Sequence, residues 1–246
     1  MKVLAELGGE TWFSLGDGDL AIHVERTRRL KAGESLSQIT GDFARAFGIS
    51  AHLLPMTDDP LRTVVETPEG VISFQDYFVR RQSKPVVKKI VFEGADKAIP
   101  SAAVMDALQL PDLRAVVICP SNPFLSIDPI LAVAGLRQAL IDCPAPVIAV
   151  SPIIGGQAVK GPTSKIMGEL SMPSTARAIA DYYGELLDGF VFDQVDEAEA
   201  GSAAPPFLVT QTLMESFKDR KKLALDILTF ADELNARPAK TGFATR

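Results

Sequence analysis

Two apolar segments, each followed by a rigid polar corner, constrain the fold of this chain more than any other feature of its sequence. Residues 114–119 and 146–150 are predominantly apolar, and the corners that follow them read Pro-Ser-Asn-Pro (120–123) and Ser-Pro (151–152). Strands without polar alternation are typical of parallel sheets that helices cover on both faces. Proline fixes the backbone φ angle and removes an amide donor, so the remaining polar groups of each corner are held in defined directions.

Strands and helices alternate from residue 114 onwards, which is typical of an α/β fold with a parallel sheet. The sequence predicts strands at 114–119, 146–150, 189–193 and 207–210, helices at 128–141, 163–170, 173–187 and 214–235, and a loop at 196–206. Before them it predicts a helix tail at 1–7, helices at 18–31, 35–48 and 100–109, strands at 51–55 and 86–93, and a hairpin over 62–81.

We therefore predict one α/β domain over residues 1–235, with a Rossmann-like, mostly parallel sheet and a helical insertion near the N-terminus. Residues 236–246 are predicted to be a disordered tail.

Composition excludes several classes of protein. The formal net charge of −6 provides no basic surface for nucleic acid or an anionic membrane. No apolar run approaches the ~18 residues that span a bilayer. Two cysteines, Cys119 and Cys143, make neither a disulfide framework nor a metal-binding spacing. We interpret Cys119 as a small core residue and expect a reduced, cytoplasmic setting.

In an open parallel sheet, ligands bind beyond the carboxyl ends of the strands. The two corners place Ser121, Asn122 and Ser151 at that end. The alternative is that Ser121 and Asn122 only cap the next helix or form an Asx turn. The following glycine-containing loop, 153–165, contains Gly161 and two lysines, and it is either a phosphate-binding loop or a surface loop with incidental lysines.

Two acidic stretches nearer the N-terminus are further candidates. Asp19, His23 and Arg26 share one helix face, which suits either an anionic or heteroaromatic ligand or a ladder of structural ion pairs. Asp58 and Asp59 are adjacent carboxylates, which either bind a hard cation or end a strand and begin a turn.

Several segments, in order, resemble the 2-phospho-L-lactate transferase family of coenzyme F-420 biosynthesis. They are LGDGDLAIH (15–23), LLPMTDDP (53–60), ISFQDYFV (72–79), CPSNPFLSIDPIL (119–131), AVSPIIGGQAVKGP (149–162) and DGFVFD (188–193). The resemblance extends from residue 1 to about residue 235. It implies a Mg²⁺-dependent enzyme that moves a phospho-lactyl group, or a phosphoenolpyruvyl or phosphoglyceryl relative, from a guanosine diphosphate adduct to a deazaflavin riboside, with release of GMP.

The resemblance also implies roles for particular residues, although it assigns no catalytic residue. The nucleotide would be bound by residues at both corners and in the loop after them: Ser121, Asn122, Pro123, Ser151, Pro152, Ile153 and Gly161. The deazaflavin would be bound by Asp17, Asp19 and His23. Asp58 and Asp59 are the candidates for the metal, and a homodimer is compatible with the family.

The chain departs from the family pattern in two respects. It begins inside that pattern, so we expect the family's first strand, phosphate-cradling loop and metal carboxylates to be encoded upstream, and residues 1–246 alone to lack turnover. Gly18 replaces a family arginine, which predicts weaker ligand binding. The alternative function is therefore an inactive truncated relative or a non-enzymatic regulator that binds a nucleotide or UDP-sugar.

Overall fold

The computed structural model describes residues 2–201 and 205–236. The described chain forms two compact units, one of residues 2–104 and 132–134 and the other of residues 105–131, 135–201 and 205–236. The prediction of a single domain over 1–235 stays a prediction. The predicted disordered tail lies, apart from Ala236, outside the described residues.

The described part of the chain contains helices, strands and two five-residue π-helical turns, Asp76–Arg80 and Pro123–Ile127. The helices are α1 (Lys2–Glu6), α2 (Asp17–Lys31), α3 (Leu36–Ala46), α4 (Ala102–Leu108), α5 (Asp128–Leu131), α6 (Leu136–Ile141), α7 (Thr163–Glu169), α8 (Ala176–Tyr183), α9 (Glu197–Ala200) and α10 (Phe217–Asn235). The strands are β1 (Arg62–Thr67), β2 (Gly70–Ser73), β3 (Lys89–Glu93), β4 (Val116–Ile118), β5 (Val147–Val150), β6 (Ile153–Ile154), β7 (Gln157–Ala158), β8 (Gly189–Asp193) and β9 (Phe207–Thr210). None of the helices in these residues is both long and apolar enough to cross a membrane.

The first unit combines an antiparallel sheet, in the order β2-β1-β3, with the predicted helical insertion. Ser35 and Gln38 form a capping box that starts α3. The guanidinium of Arg29, at the end of α2, forms ion pairs with Glu34 and with Asp42 of α3. The pair with Asp42 joins the two helices, and the pair with Glu34 ties α2 to the turn between them.

The second unit is built on a parallel sheet in the order β4-β5-β8-β9. Ile118 pairs with Ala149, Val150 with Val191, and Asp193 with Thr210. All four strands therefore end at the same side of the sheet, and the α/β prediction is confirmed. Alternate residues of β5 and β8 face opposite sides of this sheet, as the pleat requires.

One face of the parallel sheet packs against α10. Ile148, Val150 and Val191 form a buried cluster with four residues of that helix, namely Leu223, Ile227, Phe230 and Ala231. Gly189 allows the close approach, because a Cβ atom there would lie 2.6 Å from Cε1 of Phe230. The residues of β8 that point to the other face, Phe190 and Phe192, are fully buried.

The structure corrects several local predictions. Residues 51–55 form no strand, and the predicted helix at 128–141 is two helices separated at Gly135, which has a left-handed φ of 83°. The hairpin over 62–81 ends at Ser73, because the π-helical turn Asp76–Arg80 follows it. A short helix, α9, lies in the predicted loop 196–206, and Cys119 is exposed rather than in the core.

Candidate functional site

Asn122 occupies the corner after β4 and uses its two side-chain polar atoms differently. Its Oδ1 accepts a hydrogen bond from the backbone N–H of Leu125 at 3.0 Å, and so caps the π-helical turn that begins at Pro123. Its Nδ2 is buried and has no acceptor among the described residues. The capping alternative is therefore confirmed for one atom, while the other atom is a donor that a ligand oxygen can satisfy.

An aromatic and acidic cluster supports the helix that follows this corner. The Tyr182 hydroxyl donates to Asp128 Oδ2 at 2.6 Å, and the Tyr182 ring packs edge-on against Phe124, with 5.2 Å between ring centroids. Burial raises the pKa of Asp128, against the opposing effect of the hydrogen bond from Tyr182. Burial, together with Asp128, also raises the pKa of Tyr182. The cluster fixes the first turns after Asn122.

The corner after β5 contributes backbone shape rather than free side chains. Ser151 is 1 % exposed, and its Oγ accepts from the N–H of Ile153 at 3.1 Å and donates to the Ile153 carbonyl at 2.8 Å. Pro152 and Ile153 are buried as well. A ligand at this corner would therefore meet backbone groups, because the Ser151 hydroxyl is already engaged.

Beyond the second corner, β6 and β7 form a short hairpin around Gly155 and Gly156. Both glycines have left-handed φ angles, 57° and 74°, which other residues adopt only with strain. Further along, Gly161 also has a left-handed φ, of 74°, and open space around its Cα. Lys165 forms an ion pair with Glu169 at 2.5 Å.

Two buried aspartates at the carboxyl end of β8 were not identified from the sequence. Asp193 Oδ2 accepts from the N–H of Thr212 at 2.7 Å and from its hydroxyl at 2.9 Å, and Oδ1 accepts from the N–H of Val195 at 3.1 Å. Burial alone would raise the pKa of Asp193, but these hydrogen bonds outweigh it and lower the pKa. Asp193 thus ties the ends of β8 and β9 together.

Asp196 connects the same region to the glycine hairpin. Its two carboxylate oxygens lie 2.9 and 3.1 Å from the N–H of Gly155. Burial raises the pKa of Asp196 despite this hydrogen bond, and the carboxylates of Glu199 and Asp193 raise it further. The sequence signal for Asp193 was an aspartate at the end of a buried strand, and Asp196 follows three residues later in the segment DGFVFDQVD (188–196).

The predicted deazaflavin residues lie in the first unit, on α2. Asp17, Asp19 and His23 are all exposed, and α2 has no buried residue. His23 Nδ1 lies 2.7 Å from a guanidinium nitrogen of Arg26. Because arginine is only a donor, Nδ1 accepts in this contact.

The predicted metal residues are engaged by backbone groups. Asp58 Oδ1 accepts from the N–H of Ser37 at 2.6 Å, at the start of α3, and Asp59 Oδ2 accepts from the N–H of Ile99 at 2.9 Å. In the ranges 2–201 and 205–236, no three His, Cys, Asp or Glu side chains are grouped to hold a metal ion. Each of the two carboxylates thus has one oxygen engaged by the backbone, and the prediction that they bind Mg²⁺ stays a prediction.

Comparison with known proteins identifies relatives of this chain. The family model for the 2-phospho-L-lactate transferase CofD matches residues 3–219. A 2-phospho-L-lactate transferase of Methanosarcina acetivorans is 42% identical over 194 residues, which are 79% of this chain and 62% of that relative. A phosphoenolpyruvate transferase of Kitasatospora aureofaciens is 39% identical over 230 residues, 88% of this chain and 71% of that one. The chain thus spans less than two thirds of the first relative.

The fold also matches a solved structure. A crystal structure of a Bacillus halodurans protein of the UPF0052 family aligns with a TM-score of 0.59 at 14% identity, covering 85% of this chain and 70% of that one. At that identity the likeness supports the α/β fold alone.

Proposed function

Because the chain belongs to the 2-phospho-L-lactate transferase CofD family, we propose that it acts in the transfer step of coenzyme F-420 biosynthesis. The proposed donor is a guanosine diphosphate adduct of a three-carbon phosphoacid, the proposed acceptor is a deazaflavin riboside, and the product that leaves is GMP. Relatives named 2-phospho-L-lactate transferase and phosphoenolpyruvate transferase are similarly close, so the proposal leaves the three-carbon acid open.

One observation carries this proposal: the buried Nδ2 of Asn122 has no acceptor among the described residues. It lies after the end of β4, where ligands of open parallel sheets bind. An unsatisfied buried donor is costly unless a partner appears, and the phosphate or base oxygens of a nucleotide are such partners. Oδ1 holds the side chain in place by capping Leu125, so the donor is preorganised.

In the proposed reaction, a riboside hydroxyl oxygen forms a bond to the phosphorus that carries the three-carbon acid. The bond from that phosphorus to the bridging oxygen breaks, GMP leaves with that oxygen, and the hydroxyl proton passes to solvent. Such transfers depend mainly on positioning and on donors that meet the developing charge. Asn122 Nδ2 and the backbone of the two corners would hold the guanosine diphosphate part, and the assignment of Asp17, Asp19 and His23 to the deazaflavin rests on the family resemblance alone.

Mg²⁺ belongs to this proposal through the family alone. Asp58 and Asp59 stay the candidates for its site, and each carboxylate already accepts one backbone N–H of its own unit.

The test is to measure the affinity of the chain for GDP by calorimetry, and its affinity for UDP-glucose in a separate titration. Asn122→Asp is the informative variant, because it keeps the Oδ1 cap and replaces the donor Nδ2 with an oxygen. Loss of a hydrogen bond to a charged oxygen predicts roughly 10- to 150-fold weaker GDP binding. Asn235→Asp is the matched control, because Asn235 lies at the end of α10 and its amide donates to the Arg114 carbonyl, at 3.0 Å.

GDP binding that Asn122→Asp weakens and Asn235→Asp leaves unchanged supports the proposal. Binding of UDP-glucose in preference to GDP would favour a UDP-sugar-binding regulator instead. Equal GDP affinity in both variants would mean that Asn122 serves the turn alone.

A further inference from the structure

The first unit contains a small cavity that is separate from the residues discussed so far. Its volume is about 330 Å³, and it is lined by Glu69, Arg80, Arg81, Gln82, Lys84 and Pro85. That volume is at the small end of the range for ligand-binding pockets, roughly 300–1,000 Å³. The cavity therefore suits a small polar molecule rather than a nucleotide.

The lining is positively charged within an acidic chain. Three cationic side chains and one carboxylate face the cavity, whereas the whole chain has a net charge of −6. Arg81 is already paired, because its Nε lies 3.0 Å from Asp76 Oδ2 and its Nη1 lies 2.7 Å from Glu69 Oε2. Only part of its guanidinium is thus available to a ligand.

The other two cations, Arg80 and Lys84, are less fully paired with carboxylates than Arg81. The carboxylates paired with Arg80, those of Glu10 and Asp76, lie 3.7 and 3.9 Å away, beyond hydrogen-bonding distance. The Arg80 guanidinium also lies over the Trp12 ring, 5.7 Å from its centroid. Lys84 forms no ion pair with any carboxylate of residues 2–201 and 205–236. Two cations thus offer N–H groups that the described protein does not satisfy with carboxylates.

The backbone between these cations is held in an unusual conformation. Gln82 and Ser83 have left-handed φ angles of 52° and 56°, which are costly for residues other than glycine. Hydrogen bonds fix the turn, from the N–H of Arg81 to the Asp76 carbonyl at 2.8 Å and from the N–H of Ser83 to the Tyr77 carbonyl at 2.9 Å. Tyr77 is fully buried and anchors the segment. The turn brings Lys84 to the same cavity as the two arginines.

We propose that this cavity binds the phosphate group of a small phosphorylated molecule, through Arg80, Lys84 and the free N–H groups of Arg81. A phosphate group would bring oxygens to Arg80 and Lys84, the two cations that have no carboxylate at hydrogen-bonding distance among the described residues, and its tetrahedral oxygens accept hydrogen bonds from several directions at once. An arginine guanidinium binds phosphate through two parallel hydrogen bonds. A lysine ammonium binds it as a point charge. The residues that line this cavity belong to the first unit, whereas Asn122 belongs to the second.

The experiment is an NMR titration of the ¹⁵N-labelled 246-residue chain, at ionic strength held constant with NaCl. One arm uses inorganic phosphate and the other uses glycerol 3-phosphate, which distinguishes the free ion from a phosphate ester. Saturable shifts of the Gln82, Ser83 and Lys84 amide signals are expected in at least one arm. The variants are Arg80→Gln, Lys84→Gln and Lys84→Arg, and the control is Lys97→Gln, an exposed lysine of the same unit that does not line the cavity.

Arg80→Gln and Lys84→Gln should each weaken binding roughly tenfold or more, since each removes a charged hydrogen bond. Lys84→Arg should retain most of the affinity, and Lys97→Gln should retain all of it. The proposal is overturned if no amide signal shifts saturably, or if Lys84→Gln and Lys97→Gln bind with equal affinity. Preserved signal dispersion in each variant confirms that folding is not the cause of any loss.

Discussion

The backbone N–H of Gly155 lies 2.9 Å from Oδ1 of Asp196, a residue 41 positions further along the chain. This hydrogen bond joins the glycine hairpin after β5 to the carboxyl end of β8. It also places a buried carboxylate near Asp193 and Glu199. The charge of Asp196 is therefore a cost to the folded state, even though its oxygen positions the loop.

We predict that Asp196→Asn raises the free energy of unfolding at pH 7. The pKa of Asp196 is raised in the fold, so the wild type binds its proton more readily when folded and gains stability as the pH falls through that raised pKa. The amide keeps an oxygen for Gly155 and carries no charge. The advantage of the variant should therefore shrink between pH 7 and the ordinary aspartate value of 3.8. Urea unfolding between pH 7 and 3.8 measures the free energy of unfolding of the variant and of the wild type. If the difference between them did not change with pH, the charge of Asp196 would not be its cause.

Asp193→Asn should have the opposite effect. The pKa of Asp193 is lowered in the fold, so its contribution is present above its unfolded pKa and is lost as the pH falls through the folded value. Replacing the carboxylate with an amide turns one acceptor into a donor facing other donors, which costs about 1–3 kcal/mol at pH 7. Urea unfolding extended below pH ~3.9 should show this loss diminishing, because the wild-type carboxylate protonates in the unfolded chain there.

The roles of Oδ1 and Nδ2 of Asn122 can be distinguished by measuring the stability of two variants. Asn122→Ala removes the cap on Leu125 and should lower the free energy of unfolding by about 1 kcal/mol. Asn122→Asp retains that acceptor and should lie closer to the wild type at acidic pH, where its carboxyl is protonated and buries no charge. Thermal unfolding without nucleotide is the measurement. If both variants are equally destabilised, the Oδ1 cap is not what Asn122 contributes to the fold.

Close packing of α10 on the sheet predicts that Gly189→Ala is destabilising. The new methyl group would lie 2.6 Å from Phe230 Cε1 and 2.9 Å from Leu234 Cδ1, and overpacking of this kind costs about 1–3 kcal/mol.

The matched control for this substitution is Gly168→Ala. Gly168 lies on α7 in the same unit, is exposed, and has nothing within 4 Å of an added Cβ. There alanine should stabilise the helix by about 0.5–1 kcal/mol. Chemical denaturation measures the free energy of unfolding of both variants. If Gly189→Ala left this free energy unchanged, α10 would be able to move away from β8.

Much of the fold followed from local sequence. The apolar runs that became β4, β5 and β8 and the periodic helices α2, α3 and α10 were predicted within a few residues, because periodicity of burial is a local property. The helix break at Gly135 and the π-helical turns were missed. A left-handed glycine or an extra residue in a turn changes the hydrogen bonding without changing the apolar pattern.

The sequence by itself therefore determined the elements, the parallel sheet and the placement of Asn122 after a strand. Only the tertiary structure decided how the polar atoms pair. It assigned the Ser151 hydroxyl to Ile153, the Asp58 carboxylate to Ser37, and left Asn122 Nδ2 without an acceptor among the described residues. The reason is physical: a hydrogen bond depends on distances of a few tenths of an ångström between groups that are often far apart in sequence, whereas burial of an apolar face depends only on spacing along one element.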